Sequence, residues 1–347
     1  MLTNRRGHST AENREWIDFA KGVAIILVVL YHCGLFLSEL GLAEGTGRLR
    51  SLLNFYPMPL FFFVAGLTSR RMLTWTLPDL WRRRLLTLVY LYVLWSLIRV
   101  AFYLVVPPLR NTERDPTDLV SIALLPVLPS SSYWFVWALA LFTFVAWLFR
   151  KVPPIVQVVG AGLLAVAATT PWMLDTNNVG WDRVAQNLVF FLVAIFIPHQ
   201  TYRFAARVTV WHALALTVAY AGLAVAIVMF QASRIPGLVL LESAIAVALG
   251  IAASTVLVRF RWLSFISALG RRSFQIYLVH LYLVALALWA LQPFVSAELY
   301  TLARVAPYLL AVIVLALSVY LAKVLRPVNW LWVSPFRTRQ KKVASHS

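Results

Sequence analysis

The chain has 347 residues, 61% of them hydrophobic and only 13% charged, with a mean hydropathy of +0.78. A soluble protein carries roughly a quarter charged residues, so a soluble globular class is excluded and an all-α, polytopic integral membrane protein is predicted. The net charge of +18 does not mark a nucleic-acid binder, because the basic residues sit in short loops between apolar runs, as the positive-inside rule expects; the single cysteine, Cys33, excludes an internal disulfide and a cysteine-based metal cage.

Residues 1–15 are polar and basic and are predicted as a short cytoplasmic tail. They lack the apolar region and small-residue site of a cleaved signal peptide. A membrane domain over 16–326 follows, and 327–347 are predicted as a second basic cytoplasmic tail. The first span covers 16–38. The second, 51–69, begins with Pro57 and Pro59, which break or delay the helix at its outer side, and carries Gly66 for close backbone approach near its inner end. A loop with Arg70, Arg71, Arg82, Arg83 and Arg84 separates it from a third span at 85–106, which Pro107 and Pro108 end.

The apolar piece at 119–128 is too short to cross a bilayer, and the sequence leaves open whether it is re-entrant or interfacial. Spans at 133–149, 155–172, 185–200, 208–230 and 238–258 follow. Arg150 and Lys151, then Arg203 and Arg207, then Arg259, Arg261, Arg271 and Arg272 fall in the intervening loops of one side. The last two spans are 273–292 and 302–325. Ten spans with this alternation place both termini in the cytoplasm.

Three ionisable groups mark the first span. Lys21 and His32 are eleven residues apart, about 20° past three helical turns with a rise of about 16 Å. They share a helix face at two depths, with Asp18 one turn below. Ionisable groups in a membrane segment face a protein interior or wet cavity and point to function. A histidine titrates near neutrality, so His32 suits general-base chemistry; the alternative is a neutral histidine bonded between helices. Cys33 reads as packing. In the ninth span Ser273, Tyr277 and His280 form one stripe, with His280 at a depth like that of His32; it lines the same cavity or makes an interhelical hydrogen bond.

Positive-inside topology alone explains the arginines at 70, 71 and 82–84, yet their density also suits a clamp for phosphates, for which the arginine fork is matched. Glu242 is the one acidic residue well inside a span, there to pair with an arginine, act in proton transfer or reach the outer interface. Trp134, with Tyr133 and Phe135, reads first as an interface anchor, as do Trp330 and Trp332. No P-loop, GxSxG elbow, HExxH or dinucleotide fingerprint occurs in a credible context, and no metal site is predicted.

Four stretches together resemble acyltransferase family 3, the integral-membrane O-acyltransferases of bacterial surface glycans and lipids. They are Lys21 to His32 with ten residues between; Phe61-Phe-Phe-Val-Ala-Gly66 followed by Arg70 or Arg71; Tyr133-Trp-Phe at a helix start; and Leu269-Gly-Arg-Arg-Ser-Phe-Gln-Ile-Tyr-Leu-Val-His280. The resemblance spans roughly residues 14–325. It implies a bacterial inner-membrane enzyme that takes an acyl group, acetyl first among candidates, from cytoplasmic acyl-CoA to a hydroxyl of a glycan, lipid-linked or small acceptor. It implies His32 as the catalytic histidine and Lys21 as its basic companion, with Asp18 able to pair with Lys21. Arg70, Arg71, Arg82 and Arg83 would face the donor, and Tyr277, His280, Trp134 and Glu242 are candidates for the substrate cavity. Acyl-CoA would be a substrate rather than a resident cofactor. Two positions depart from the family pattern: Ala65 stands where members often have serine, and Lys21 where they often have arginine, which supplies a point charge rather than a bidentate fork. The competing reading is a proton-coupled secondary transporter of an anionic metabolite; such proteins often show inverted repeats, and no repeat is visible. A non-catalytic membrane scaffold is a third.

Overall fold

The computed structural model describes residues 5–43, 47, 55–106, 117, 119–129, 133–170, 172–294 and 302–336, and among them every regular element is a helix. In chain order these are α1 (Arg5–Leu37), α2 (Pro57–Leu67), α3 (Leu77–Tyr103), α4 (Leu119–Ala123), α5 (Trp134–Leu148), α6 (Pro154–Thr169) and α7 (Val179–Phe196). They continue with α8 (Pro198–Arg207), α9 (Val210–Met229), α10 (Leu238–Leu257), α11 (Ser264–Arg271), α12 (Ser273–Leu291) and α13 (Ala306–Val324). Seven of them, α1, α3, α7, α9, α10, α12 and α13, are long and apolar enough to cross a membrane. α2, α5 and α6 cover the other three predicted spans with 11, 15 and 16 residues, short of the ~20 that a full crossing takes. Residues 51–54 of the predicted second span lie outside the described residues.

Local sequence explains the boundaries. Gly41, at φ 72°, ends the 3₁₀ turn that closes α1, a backbone position that glycine adopts without cost. Pro57 opens α2, where its missing N–H is not needed. The Asn178 side chain accepts from the Trp181 amide at 3.0 Å and starts α7. The helix therefore begins six residues before the predicted sixth span and takes in Asp182 and Arg183, which lie between the predicted fifth and sixth spans. Three further segments predicted as basic loops are helical. Arg82, Arg83 and Arg84 lie in a π-helical turn, Trp81–Leu85, inside the continuous α3. Arg203 and Arg207 lie on α8, and α11 fills the loop before Arg272. In each case the apolar count runs out at the arginines while backbone hydrogen bonding continues through them.

α1 is central: it packs against α2, α10, α11, α12 and α13. Its closest approach is to α11. A Cβ on Gly270 would collide with the Asp18 carbonyl and come within 2.8 Å of the Gly22 nitrogen, and one on Gly22 would collide with the Ile266 carbonyl. Two glycines thus bring the backbones into contact. Gly66 does the same between α2 and α7, against the Phe191 carbonyl, as its place near the helix end predicted.

Contacts gather the basic segments at one end. Trp147 Nε1–H, near the end of α5, donates to the Trp75 carbonyl at 2.8 Å, beside Arg70–Thr74. α2 and α7 meet near their C-terminal ends through Gly66, and α8 follows α7 directly. Arg70, Arg71, Arg82–Arg84, Arg150, Arg203 and Arg207 therefore share a basic end. The short piece over 119–128 is fastened instead by three side chains of the bundle: Tyr92 donates to the Leu125 carbonyl, Trp137 to Pro126 and Trp181 to Val127. Residues 325–336 fold back on α3. Trp95 Nε1–H donates to the Leu331 carbonyl at 2.9 Å, and Trp332, predicted as an interface anchor, packs its ring 5.7 Å from that of Trp95.

Candidate functional site

The feature that gathers chemistry is a pair of histidines from two crossing helices. His32 of α1 and His280 of α12 approach with Nδ1 to Nε2 at 3.3 Å and ring centroids at 5.1 Å. His280 is fully buried. Backbone carbonyls fix the tautomers, since a carbonyl only accepts. His280 Nδ1–H donates to the Tyr277 carbonyl at 2.8 Å and lies 3.2 Å from that of Ile276. His32 Nδ1–H donates to the Val28 carbonyl at 2.8 Å. The lone pair of His280 is therefore on Nε2, aimed at the His32 Nδ1–H, and the lone pair of His32 is on its own Nε2. This is the arrangement of a base oriented by a third group, in which the second histidine steadies the proton that the first keeps.

Around the pair is an aromatic wall. Tyr277 lies 6.1 Å from the His280 ring and 5.5 Å from Phe135. Tyr133, buried at the start of α5, is 2.6 Å from the Tyr282 hydroxyl and 3.1 Å from the Leu278 carbonyl. Trp134, the predicted cavity residue, packs on Phe62 at 5.9 Å. Its neighbour Tyr133 is the one that meets α12.

The remaining predicted residues are dispersed. Lys21 and Asp18 form an ion pair at 2.7 Å, both about a quarter exposed, on the segment of α1 that abuts α11. Arg70, Arg71 and Arg82 are exposed at the basic end. Arg83 is engaged: its Nε–H and one Nη–H both reach Asp79 Oδ1 at 3.0 Å, and its guanidinium lies 5.4 Å from the Trp75 ring centroid. Glu242 of α10 is fully buried, and neither carboxylate oxygen has a hydrogen-bond partner among the described residues. It stands within electrostatic range of Tyr220 on α9. It lies one turn inside the start of α10, packed between helices.

Two arginines inside helices were missed. Arg99 of α3 has a buried Nε with no hydrogen-bond partner among the described residues and holds its guanidinium 5.2 Å from the Tyr103 ring centroid, within electrostatic range of Tyr133 and Tyr282. Arg183 of α7 donates to Gln186 at 3.4 Å and interacts with Tyr31, the residue beside His32. Arg99 was visible as a charge in the middle of an apolar run. Arg183 was hidden by the misplaced start of α7.

Among the described residues no group of three or more His, Cys, Asp or Glu is placed to hold a metal ion. No curated protein and no solved structure matches the chain significantly. A family model does, the acyltransferase domain of acyltransferase family 3, over residues 14–325. With its apolar helices, the chain belongs to that family and is a multi-pass membrane acyltransferase.

Proposed function

We propose that the protein moves an acyl group, acetyl first among candidates, from acyl-CoA to a hydroxyl of a surface glycan, lipid-linked glycan or small acceptor at the bacterial inner membrane. The observation that carries the chemistry is the oriented histidine pair. His32 Nε2 takes the proton of the acceptor hydroxyl as its oxygen attacks the thioester carbonyl carbon. A C–O bond forms, the C–S bond breaks, and the departing CoA thiolate recovers the proton from His32. While His32 is an imidazolium, its Nδ1–H donates to the Val28 carbonyl and His280 Nε2, and such charge-assisted bonds are stronger than neutral ones. His280 is a positioning residue in this scheme. His280→Ala is expected to lower kcat about 10- to 100-fold with little change in the KM for acyl-CoA, and His280→Gln, which keeps an acceptor near that nitrogen, to recover part of the loss. A parallel rise in KM would assign His280 to donor binding instead.

The donor's phosphates are assigned to Arg70, Arg71 and Arg82, whose guanidinium groups are exposed. Arg83 serves the fold by holding Asp79 and Trp75. Lys21, fixed by Asp18, adds a positive charge about 16 Å along α1 from His32, a separation suited to an extended donor with its thioester at the histidine. The double variant Arg70→Gln/Arg71→Gln is expected to raise the KM for acetyl-CoA roughly tenfold or more at near-constant kcat, since charge-assisted bonds to phosphate contribute about 1.5–3 kcal/mol each. Transfer from labelled acetyl-CoA in inverted vesicles measures it. An unchanged KM would remove these arginines from the donor site. Gradient-driven uptake of an anion without any transfer would replace the enzyme reading with a transporter.

A further inference from the structure

A second basic site lies apart from the histidines, where α8 meets the start of α9. Gln200, Arg203, Phe204, Arg207, Val208 and His212 line a cavity of about 380 Å³. The first four of these fall on one face of α8 at i, i+3, i+4 and i+7, while Thr201 and Ala205 on its opposite face are buried. Neither arginine forms an ion pair with a carboxylate among the described residues. His212 is oriented by the capping box of α9. The Thr209 amide donates to its Nδ1 at 3.3 Å, so the ring proton is on Nε2 and is a further donor. The site thus offers two planar guanidinium forks, an imidazole N–H and a carboxamide around an apolar floor of Phe204 and Val208. That donor set, with no carboxylate ion pair to its arginines among the described residues, fits a phosphate ester.

What adjoins the cavity distinguishes a lipid from a soluble ester. α9 is the span least covered by protein, with 11% of its apolar window buried against 28% or more in the other six. Trp211, Leu214, Val218 and Val225 are exposed and form one stripe along the helix. The stripe begins at Trp211, 78% exposed, a residue type enriched at membrane interfaces. An apolar track thus runs from the rim of the cavity along α9.

We infer that this cavity binds the phosphodiester headgroup of an anionic phospholipid, with its acyl chains laid along the exposed stripe of α9. The cavity lining includes none of the proposed donor arginines. The test uses full-length protein in neutral detergent, titrated with dioctanoyl phosphatidylglycerol, dioctanoyl phosphatidylcholine or CoA, read by thermal shift and by lipid adducts in native mass spectrometry. Phosphatidylglycerol is expected to bind and raise Tm, and phosphatidylcholine to do neither. Arg203→Gln/Arg207→Gln is expected to weaken phosphatidylglycerol binding roughly 25-fold, about fivefold for each cation at a charged lipid surface. Lys323→Gln/Arg326→Gln, which removes two exposed charges at the end of α13, a helix that packs on α1 and α12, is expected to leave it unchanged. If the first variant fails to fold, Arg207→Gln alone is read against the fivefold expectation. Equal weakening by the two double variants would reduce the effect to surface charge and overturn the site. Displacement of phosphatidylglycerol by CoA at similar concentration would make it a soluble phosphate-ester site and overturn the lipid assignment, as would no shift with wild type.

Discussion

His32→Ala is expected to lower acyl transfer about 10²- to 10⁴-fold, the range of a positioned general base, while the protein still inserts and folds. The side chain is only partly buried, and the packing of α1 rests on its neighbours: Ala24, Ile25, Val29 and Cys33 are fully buried around it. Removing the imidazole leaves those contacts in place and takes away the lone pair on Nε2. The measurement is transfer from radiolabelled acetyl-CoA to membrane acceptors in inverted vesicles, with expression and insertion matched. The double variant His32→Ala/His280→Ala sharpens it. If His280 acts through His32, the double variant is no slower than His32→Ala alone, because residues that work as a unit are non-additive. A further loss in the double variant would give His280 a role of its own. Transfer at the wild-type rate in His32→Ala would remove this histidine as the base and with it the proposed mechanism.

The legible part of this protein was what the bilayer dictates. Runs of apolar residues revealed the helices, and the spacing of Lys21, Asp18 and His32 on one helix was fixed by helical geometry before any contact was known. Chain chemistry could also suggest that His32 and His280 lie at similar depth. It could not supply their meeting, which depends on how α1 and α12 cross, a property of side-chain volumes on several helices at once. The arginine-rich segments show the other limit. A hydropathy reading ends a span where charge begins, but backbone hydrogen bonding is indifferent to that boundary, so α3 runs through Arg82–Arg84 and α8 and α11 form from residues read as loops. The start of α5 is of a third kind. Adjacent residues on a helix point about 100° apart, and the sequence does not show which of Tyr133 and Trp134 meets α12; in the fold Tyr133 is bonded to Tyr282 and to the Leu278 carbonyl.

Gly270→Ala is expected to destabilise the fold strongly. The new carbon would collide with the Asp18 carbonyl oxygen and lie 2.8 Å from the Gly22 nitrogen. Both are backbone atoms of α1, so no side chain can rotate away and the helices must separate. Overpacking against side chains costs typically 1–3 kcal/mol, and a clash with backbone on a central helix lies at or above the upper end of that range. Gly22→Ala meets the Ile266 carbonyl from the other side and is expected to behave alike. The consequence reaches the site as well, because this contact sets where α1 lies and α1 carries both the Lys21–Asp18 pair and His32. Glycines at 160, 162 and 222 have nothing within 4 Å of an added Cβ. Alanine there is expected to be neutral or stabilising by up to about 1 kcal/mol, the helix-propensity difference between the two residues. Thermal unfolding of purified variants, with yield of inserted protein as a second readout, compares the two groups. A Tm for Gly270→Ala within the spread of the three controls would mean that α1 and α11 are not held in backbone contact, and the placement of His32 beside His280 would then need another anchor.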